Sequence, residues 1–97
     1  MAVSIVMDFN GATLEQYDRV IEKMHLTPGG QGPPGALFHW CTATGSGIRV
    51  IDVWQTREQY DAFARDQIGP LTAEVGLPGP PDVTFHDVNS YFTDGGS

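Results

Sequence analysis

Two histidines and two aspartates stand on predicted strands where each histidine can meet one aspartate. His39 and Asp52 flank the turn sequence TGSG, which has glycines at Gly45 and Gly47. Antiparallel pairing about the centre of this turn puts His39 opposite Asp52, with their Cβ atoms ~5 Å apart. The carboxylate would fix the imidazole tautomer and favour the charged ring. This pair is therefore predicted to be a general base that removes a proton from a phenol or an activated C–H group.

The second pair, His86 with Asp8, is predicted from an internal repeat. The sequence TLEQYD at 13–18 recurs as TREQYD at 56–61, and GPPGALFH recurs as GPPDVTFH. The halves of a split βαβ unit are related by a pseudo-twofold axis, which maps the first pair onto His86 and Asp8. We therefore expect both pairs on one sheet face. Their histidines would be ~14 Å apart across the strands, so no metal site is expected.

Each pair also has a structural interpretation, which the sequence leaves open. Buried polar groups need partners, and a His–Asp bridge satisfies both of its members. Alternation along the hairpin places Cys41, Val50 and Trp54 on the face of the His39–Asp52 pair. The opposite face is predicted to be almost wholly apolar, with Val3, Ile5, Met7, Phe9, Phe38, Trp40, Ile51, Val53 and Phe85.

The elements that would position these residues follow in the order βαββαβ. Thr13 and Thr56 each precede a glutamine by three residues, which is the capping box that begins a helix. Pro70 and Gly76 bound a short additional helical turn. A run rich in valine and isoleucine, the tight turn TGSG and loops rich in glycine and proline predict four strands. These strands are Ala2–Phe9, Ala36–Ala43, Ile48–Trp54 and Val83–Phe92.

This order predicts an α+β, ferredoxin-like fold with a four-stranded antiparallel sheet. We expect a single domain over residues 1–97, with an ordered core at 2–92 and a loose tail at 93–97. A chain of 97 residues has a modest core of its own, so a second copy is expected to add to it.

The composition of the chain argues against several classes of partner and compartment. Twelve acidic and five basic residues give a net charge of −7, which disfavours nucleic acids and anionic membrane surfaces. Cys41 is the only cysteine, so an intrachain disulfide is excluded and a reducing cytoplasm is expected. The sequence has neither a signal-peptide pattern at its start nor the ~20 apolar residues of a membrane span.

The sequence DVWQTREQYDAF at 52–63 resembles the dimeric α/β-barrel superfamily, particularly its antibiotic-biosynthesis-monooxygenase-like branch. The resemblance consists of an acidic residue, an aromatic residue and a threonine cap at the end of the third strand, followed by a helix with an inward Phe63. A last strand introduced by Pro81 and Val83 completes it. The resemblance implies a homodimer whose two sheets pack face to face, with a pocket in each subunit between the sheet and the helices.

The same resemblance implies a small cofactor-independent enzyme of the monooxygenase, cyclase or isomerase type, acting on an aromatic or polyketide-like molecule. Polyketide monooxygenases of this superfamily use an asparagine, a tryptophan and a tyrosine. Trp54 and Tyr60 have a similar spacing here, whereas the asparagine position falls at Val50. His39 and Asp52 would then be base and orienter. The predicted substrate wall consists of Trp54, Tyr60, Val50 and Cys41.

A non-catalytic alternative exists on the same fold. The chain could be a small-molecule-binding or accessory protein with an apolar pocket, in which both His–Asp pairs only satisfy each other. Solvent access to His39 separates the two hypotheses, because a catalytic base must be reachable by a substrate.

Overall fold

Residues 1–93 are described by a computed structural model, and they form one antiparallel sheet with helices against one face. The strands are β1 (Val3–Asn10), β2 (Ala36–Thr44), β3 (Gly47–Trp54) and β4 (Asp82–Asp87). The helices are α1 (Leu14–Lys23), α2 (Arg57–Phe63) and α3 (Gly69–Val75), with a π-helical turn at Ala64–Ile68 between the last two. The strand order is β2-β3-β1-β4. The predicted α+β, ferredoxin-like fold is confirmed, and most of the predicted tail at 93–97 lies outside the described residues.

Both predicted caps begin helices, and the reciprocal capping box is complete at Thr13 but not at Thr56. The Thr13 hydroxyl accepts a hydrogen bond from the Gln16 amide at 3.1 Å, and the Gln16 side chain accepts one from the Thr13 amide at 3.0 Å. The Thr56 hydroxyl likewise accepts from the Gln59 amide at 3.2 Å. These bonds satisfy amide groups that have no partner within the first turn of a helix. They therefore fix where α1 and α2 begin relative to the ends of β1 and β3.

The helical segment after Phe63 contains a wider turn that the sequence analysis did not predict. Pro70 has no N–H, so it cannot bond to the carbonyl of Asp66 as a continuous α-helix would require. The chain instead makes the π-helical turn Ala64–Ile68 before α3. Gly76 then ends α3 in the left-handed region with φ of 92°, as predicted for a glycine at this place.

The last strand is shorter than predicted. The sequence analysis placed it at Val83–Phe92, whereas β4 covers Asp82–Asp87. It pairs with β1 only as far as Val3 opposite Asp87, and one further backbone bond joins the Val88 amide to the Ala2 carbonyl.

The predicted side of β1 relative to the hairpin is wrong. Ile5 lies opposite Asp52 on one side and opposite Phe85 on the other, so these residues share a sheet face. That face packs against the helices and buries the four apolar residues of β1, which are Val3, Ile5, Met7 and Phe9. The buried apolar area of these side chains decides which side of β1 meets the helices.

The other sheet face is consequently more open than predicted. It keeps Phe38, Trp40, Ile51 and Val53 from the predicted apolar set, but not the residues of β1 or Phe85. Phe38 and Trp40 are 49% and 41% exposed. The described part of the chain also contains no helix that is long and apolar enough to cross a bilayer.

Candidate functional site

The hairpin of β2 and β3 brings His39 and Asp52 together as predicted. The two residues are paired across the strands, and His39 Nδ1 lies 2.5 Å from Asp52 Oδ1. Gly47 begins β3 and lies close against β1. A side chain could not fit at this position, because its Cβ would be 2.1 Å from the Phe9 carbonyl oxygen. The turn and this close approach together set the register that places Asp52 in the middle of the sheet.

Asp52 is held at its other oxygen by Trp54. The indole Nε1–H donates a hydrogen bond of 3.0 Å to Asp52 Oδ2. Asp52 is only 4% exposed and Trp54 only 1%. Because an indole nitrogen can only donate, Oδ2 is an acceptor and Oδ1 is left to accept from the imidazole Nδ1–H. The carboxylate therefore fixes the tautomer of His39 in which Nε2 is the acceptor nitrogen.

Tyr17 completes the group from the first turns of α1. Its hydroxyl lies 2.5 Å from His39 Nε2, and the two rings are stacked with an interplanar angle of 9°. A continuous hydrogen-bonded chain thus runs from Tyr17 through His39 and Asp52 to Trp54. The sequence analysis did not place Tyr17 in the site. The available signal was its position four residues after the Thr13 cap, on the helix that crosses from β1 to β2.

Burial keeps the Tyr17 phenol and the Cys41 thiol protonated at neutral pH. It raises the pKa of the Tyr17 phenol well above its usual range, and the negative charges of Cys41, Asp52 and Asp18 act in the same direction. Burial, with Asp18 adding to it, raises the pKa of the Cys41 thiol to about 11. At neutral pH Tyr17 therefore keeps its proton and donates it in the bond to His39.

One end of the hydrogen-bonded chain is exposed to solvent and the other end is buried. The side chain of His39 is 39% exposed, whereas that of Asp52 is 5% exposed. Tyr17 is half-buried. A molecule from solvent can thus reach the Tyr17–His39 end, while water is kept away from the carboxylate.

The residues of the predicted substrate wall surround the hydrogen-bonded chain, and most of them lie inside the core. Val50, Trp54 and Tyr60 are buried, and Cys41 is half-buried. The Tyr60 hydroxyl donates to Met7 Sδ at 3.3 Å. Burial raises the pKa of Tyr60 to about 12, with Asp52 and Asp61 adding to the effect. Contact between these side chains and a substrate stays a prediction.

The predicted His86–Asp8 contact is wrong. Asp8 and His86 lie on the face away from the helices, where His86 is opposite Ser4. The Asp8 carboxylate accepts two hydrogen bonds from Arg49, of 2.7 and 3.1 Å, and this pairing holds the pKa of Asp8 below its usual value. The pseudo-twofold axis fails here because burial of the apolar side of β1 turns Asp8 outward.

Two surface clefts lie away from the Tyr17–His39 end. The first, of about 430 Å³, lies between the start of α1 and the β2–β3 turn, and Ala12, Leu14 and Ile48 are among its lining residues. The second, of about 470 Å³, lies beside Arg57 and His86. Within residues 1–93, no group of three or more histidine, cysteine, aspartate or glutamate side chains could hold a metal ion.

A solved structure of a monooxygenase has a similar fold. It is the crystal structure of the monooxygenase from the gene ActVA-Orf6 of Streptomyces coelicolor, in complex with the ligand nanaomycin D. The two chains are 20% identical, and the match covers 94% of this chain and 89% of that one with a TM-score of 0.56. No protein-family model and no curated protein matches the sequence. The predicted resemblance is thereby confirmed at the level of the fold.

Proposed function

We propose that this protein is a small cofactor-independent enzyme of the monooxygenase type that acts on an aromatic or polyketide-like small molecule. The observation that carries the proposal is the oriented chain from buried Asp52 to exposed His39. The fold shared with a monooxygenase whose structure holds nanaomycin D adds support. A His–Asp pair with its outer end open to solvent has the arrangement of a general base.

The proposed chemistry begins with proton removal. A phenol or an acidic C–H group loses its proton, which ends on His39 Nε2, and Asp52 stabilises the imidazolium through Nδ1–H. The electron-rich anion that remains can react with molecular oxygen. For a phenolic anthrone the overall reaction is balanced as anthrone plus O2 giving anthraquinone plus water. His86 and Asp8 are not part of this proposal, because they lie on the other sheet face.

The proposal includes a homodimer formed through the open sheet face. Phe38 and Trp40 expose large apolar surfaces there, next to half-buried Ile51 and Val53. Apolar side chains on an uncovered sheet face gain free energy when a second sheet excludes water from them. A second copy of the chain would supply such a sheet and leave the helix-covered face free for the substrate.

A non-catalytic binding function is the second candidate. It is favoured by the cleft of about 430 Å³ at the start of α1, whose lining includes Ala12, Leu14 and Ile48. An apolar molecule held there would be separate from the hydrogen-bonded chain. In that case His39 and Asp52 would only satisfy each other inside the fold.

Oxygen consumption with 1,8-dihydroxyanthrone tests the enzyme directly. Purified protein, treated with chelator and free of flavin absorbance, is expected to speed O2 uptake and formation of the anthraquinone. His39→Gln should slow the reaction about a hundredfold, because general-base catalysis contributes at least that much. Equal rates with and without the protein would overturn the enzyme proposal. Ligand-induced NMR shifts confined to Ala12 and Ile48 would then support the binding function instead.

A further inference from the structure

The acceptor nitrogen of His39 is already occupied in the folded protein. Trp54 can only donate to Asp52, so the bond between Asp52 and the ring places a proton on Nδ1. Nε2 then carries one lone pair, and Tyr17 donates its hydroxyl proton to that lone pair at 2.5 Å. An incoming molecule cannot reach Nε2 without displacing this phenol.

We propose that Tyr17 is the catalytic residue that touches the substrate, with His39 and Asp52 acting behind it. This assignment rests on the proposed function and names the group that contacts an acidic C–H or phenolic substrate. A phenol oxygen that donates its single proton to Nε2 still has lone pairs free. These lone pairs are the basic positions at the outer end of the chain.

The step is a transfer of two protons in sequence along the chain. The substrate X–H bond breaks as a new bond forms between that proton and Tyr17 Oη. The original Oη–H bond breaks as its proton binds His39 Nε2. Tyr17 ends neutral, the substrate carries one negative charge and the imidazole carries one positive charge beside the Asp52 carboxylate. No oxidant is consumed in this step.

The burial of Tyr17 explains why His39 is required. A pKa well above the usual range means that Tyr17 holds its proton at neutral pH, so a free phenolate is absent. Its oxygen becomes basic only as His39 removes the proton. The arrangement follows the logic of a nucleophile or base paired with a histidine that a buried carboxylate orients.

The other buried tyrosine is differently placed. Tyr60 is 4% exposed, and its hydroxyl donates to the thioether of Met7 inside the core. It has no histidine partner among its hydrogen bonds in residues 1–93. The phenol that combines partial exposure with an imidazole acceptor is therefore Tyr17.

Acylation by p-nitrophenyl acetate tests this assignment without the anthrone and without oxygen. Attack by Tyr17 Oη would form an acetyl ester, release p-nitrophenolate and pass the phenolic proton to His39 Nε2. We expect a burst of one equivalent of p-nitrophenolate per chain, with mass spectrometry locating the acetyl group on Tyr17. Acetylation at position 17 should be absent in Tyr17→Phe and should slow about a hundredfold in His39→Gln. Exposed Tyr91, changed in Tyr91→Phe, is the matched control and should leave the burst intact.

Two outcomes would overturn the assignment. Acetylation of Tyr17 at the same rate in His39→Gln would show a phenol that the imidazole does not assist. An unlabelled Tyr17 in the folded wild-type protein would show an oxygen that an electrophile cannot reach. Circular dichroism of each variant establishes that the fold is retained. Failure of the anthrone assay with a normal Tyr17 burst would reject the oxygenase proposal and leave the role of Tyr17 standing.

Discussion

Asp52 is the residue on which the arrangement of the site depends. It is a buried carboxylate with a donor on each oxygen, namely the Trp54 indole and the His39 ring. Within the described residues, no buried side-chain polar atom lacks a hydrogen-bond partner. A buried carboxylate is stable only with such partners, because burial without them costs about 2 kcal/mol or more. Asp52 thus links the stability of the core to the tautomer of the proposed base.

Replacing Asp52 by asparagine is expected to disturb both properties. The amide oxygen can accept from Trp54, but the amide NH2 then faces His39 Nδ1 and forces that nitrogen to accept. The ring proton moves to Nε2, which then donates to Tyr17 Oη and can no longer accept the phenolic proton. We expect Asp52→Asn to lower the free energy of unfolding by ~1–3 kcal/mol in urea denaturation.

The matched control for this change is Asp61→Asn on α2. Asp61 is exposed and lies 3.7 Å from Arg57 in a pair four residues apart on the helix. Its loss should change the free energy of unfolding by less than ~0.5 kcal/mol. Equal effects of the two variants would mean that the buried hydrogen bonds of Asp52 contribute little to stability.

Tyr60 is expected to make the free energy of unfolding depend on pH in the alkaline range. Its pKa is raised from 10.0 to about 12 in the folded chain, chiefly by burial. The unfolded chain therefore releases this proton first, so the stability that Tyr60 contributes is full below pH 10 and is lost as pH rises towards 12. Urea denaturation across this window should show a falling free energy of unfolding. The fall should be shallower in Tyr60→Phe, and an unchanged slope would place the cause elsewhere.

At the scale of elements, local patterns predicted the hairpin and both capped helices. The TGSG turn fixes which residues of β2 and β3 face each other, so the contact of His39 with Asp52 follows from nearby sequence. The helix caps at Thr13 and Thr56 are also made by residues within four positions of one another. Such contacts need no knowledge of the rest of the fold.

Contacts between distant elements were harder to predict. Alternation within β1 groups Val3, Ile5, Met7 and Phe9 correctly, but it does not say which face of the neighbouring β3 they share. That choice depends on how the helices cover the sheet. For the same reason the sequence did not predict that Tyr17 belongs to the site, because the angle of α1 over β2 decides whether its hydroxyl meets His39. The π-helical turn likewise comes from a hydrogen bond that Pro70 cannot make.

The N-terminal cap of α1 is expected to affect the site as well as stability. Tyr17 lies one turn after Thr13, and its amide bonds to the Thr13 carbonyl at 3.0 Å. Thr13→Ala removes the hydroxyl that accepts from Gln16, so α1 should fray at this end. We expect a loss of about 1 kcal/mol in the free energy of unfolding and weaker acetylation of Tyr17.

Thr27→Ala in the loop before β2 is the control for this variant, since the exposed Thr27 caps none of the described helices. Its stability and its p-nitrophenolate burst should match the wild-type protein. A Thr13→Ala protein with a normal burst would show that Tyr17 is positioned by packing alone.

The whole molecule is expected to be a dimer in solution. The open sheet face presents Trp40 at 41% exposure, with apolar neighbours on β3. Sedimentation should therefore give twice the 10.5 kDa mass of one chain. Trp40→Glu would put a charge into the proposed interface and should give the monomer mass.

Leu14→Glu is the matched control, because Leu14 is 45% exposed on α1 and away from the open face. This variant should sediment like the wild-type protein. A wild-type protein of monomer mass at micromolar concentration would contradict the proposed dimer, and the exposed aromatic residues would then need another explanation.

The measurement that tests the central claim most directly is 15N NMR of the histidine rings, without oxygen, as 1,8-dihydroxyanthrone is added. The account predicts that the bound anthrone absorbs as its anion while His39 alone changes from an imidazole with a proton on Nδ1 to an imidazolium. His25 and His86 serve as internal controls and should stay unchanged. A neutral bound anthrone, with the His39 signals the same as in the free protein, would contradict it.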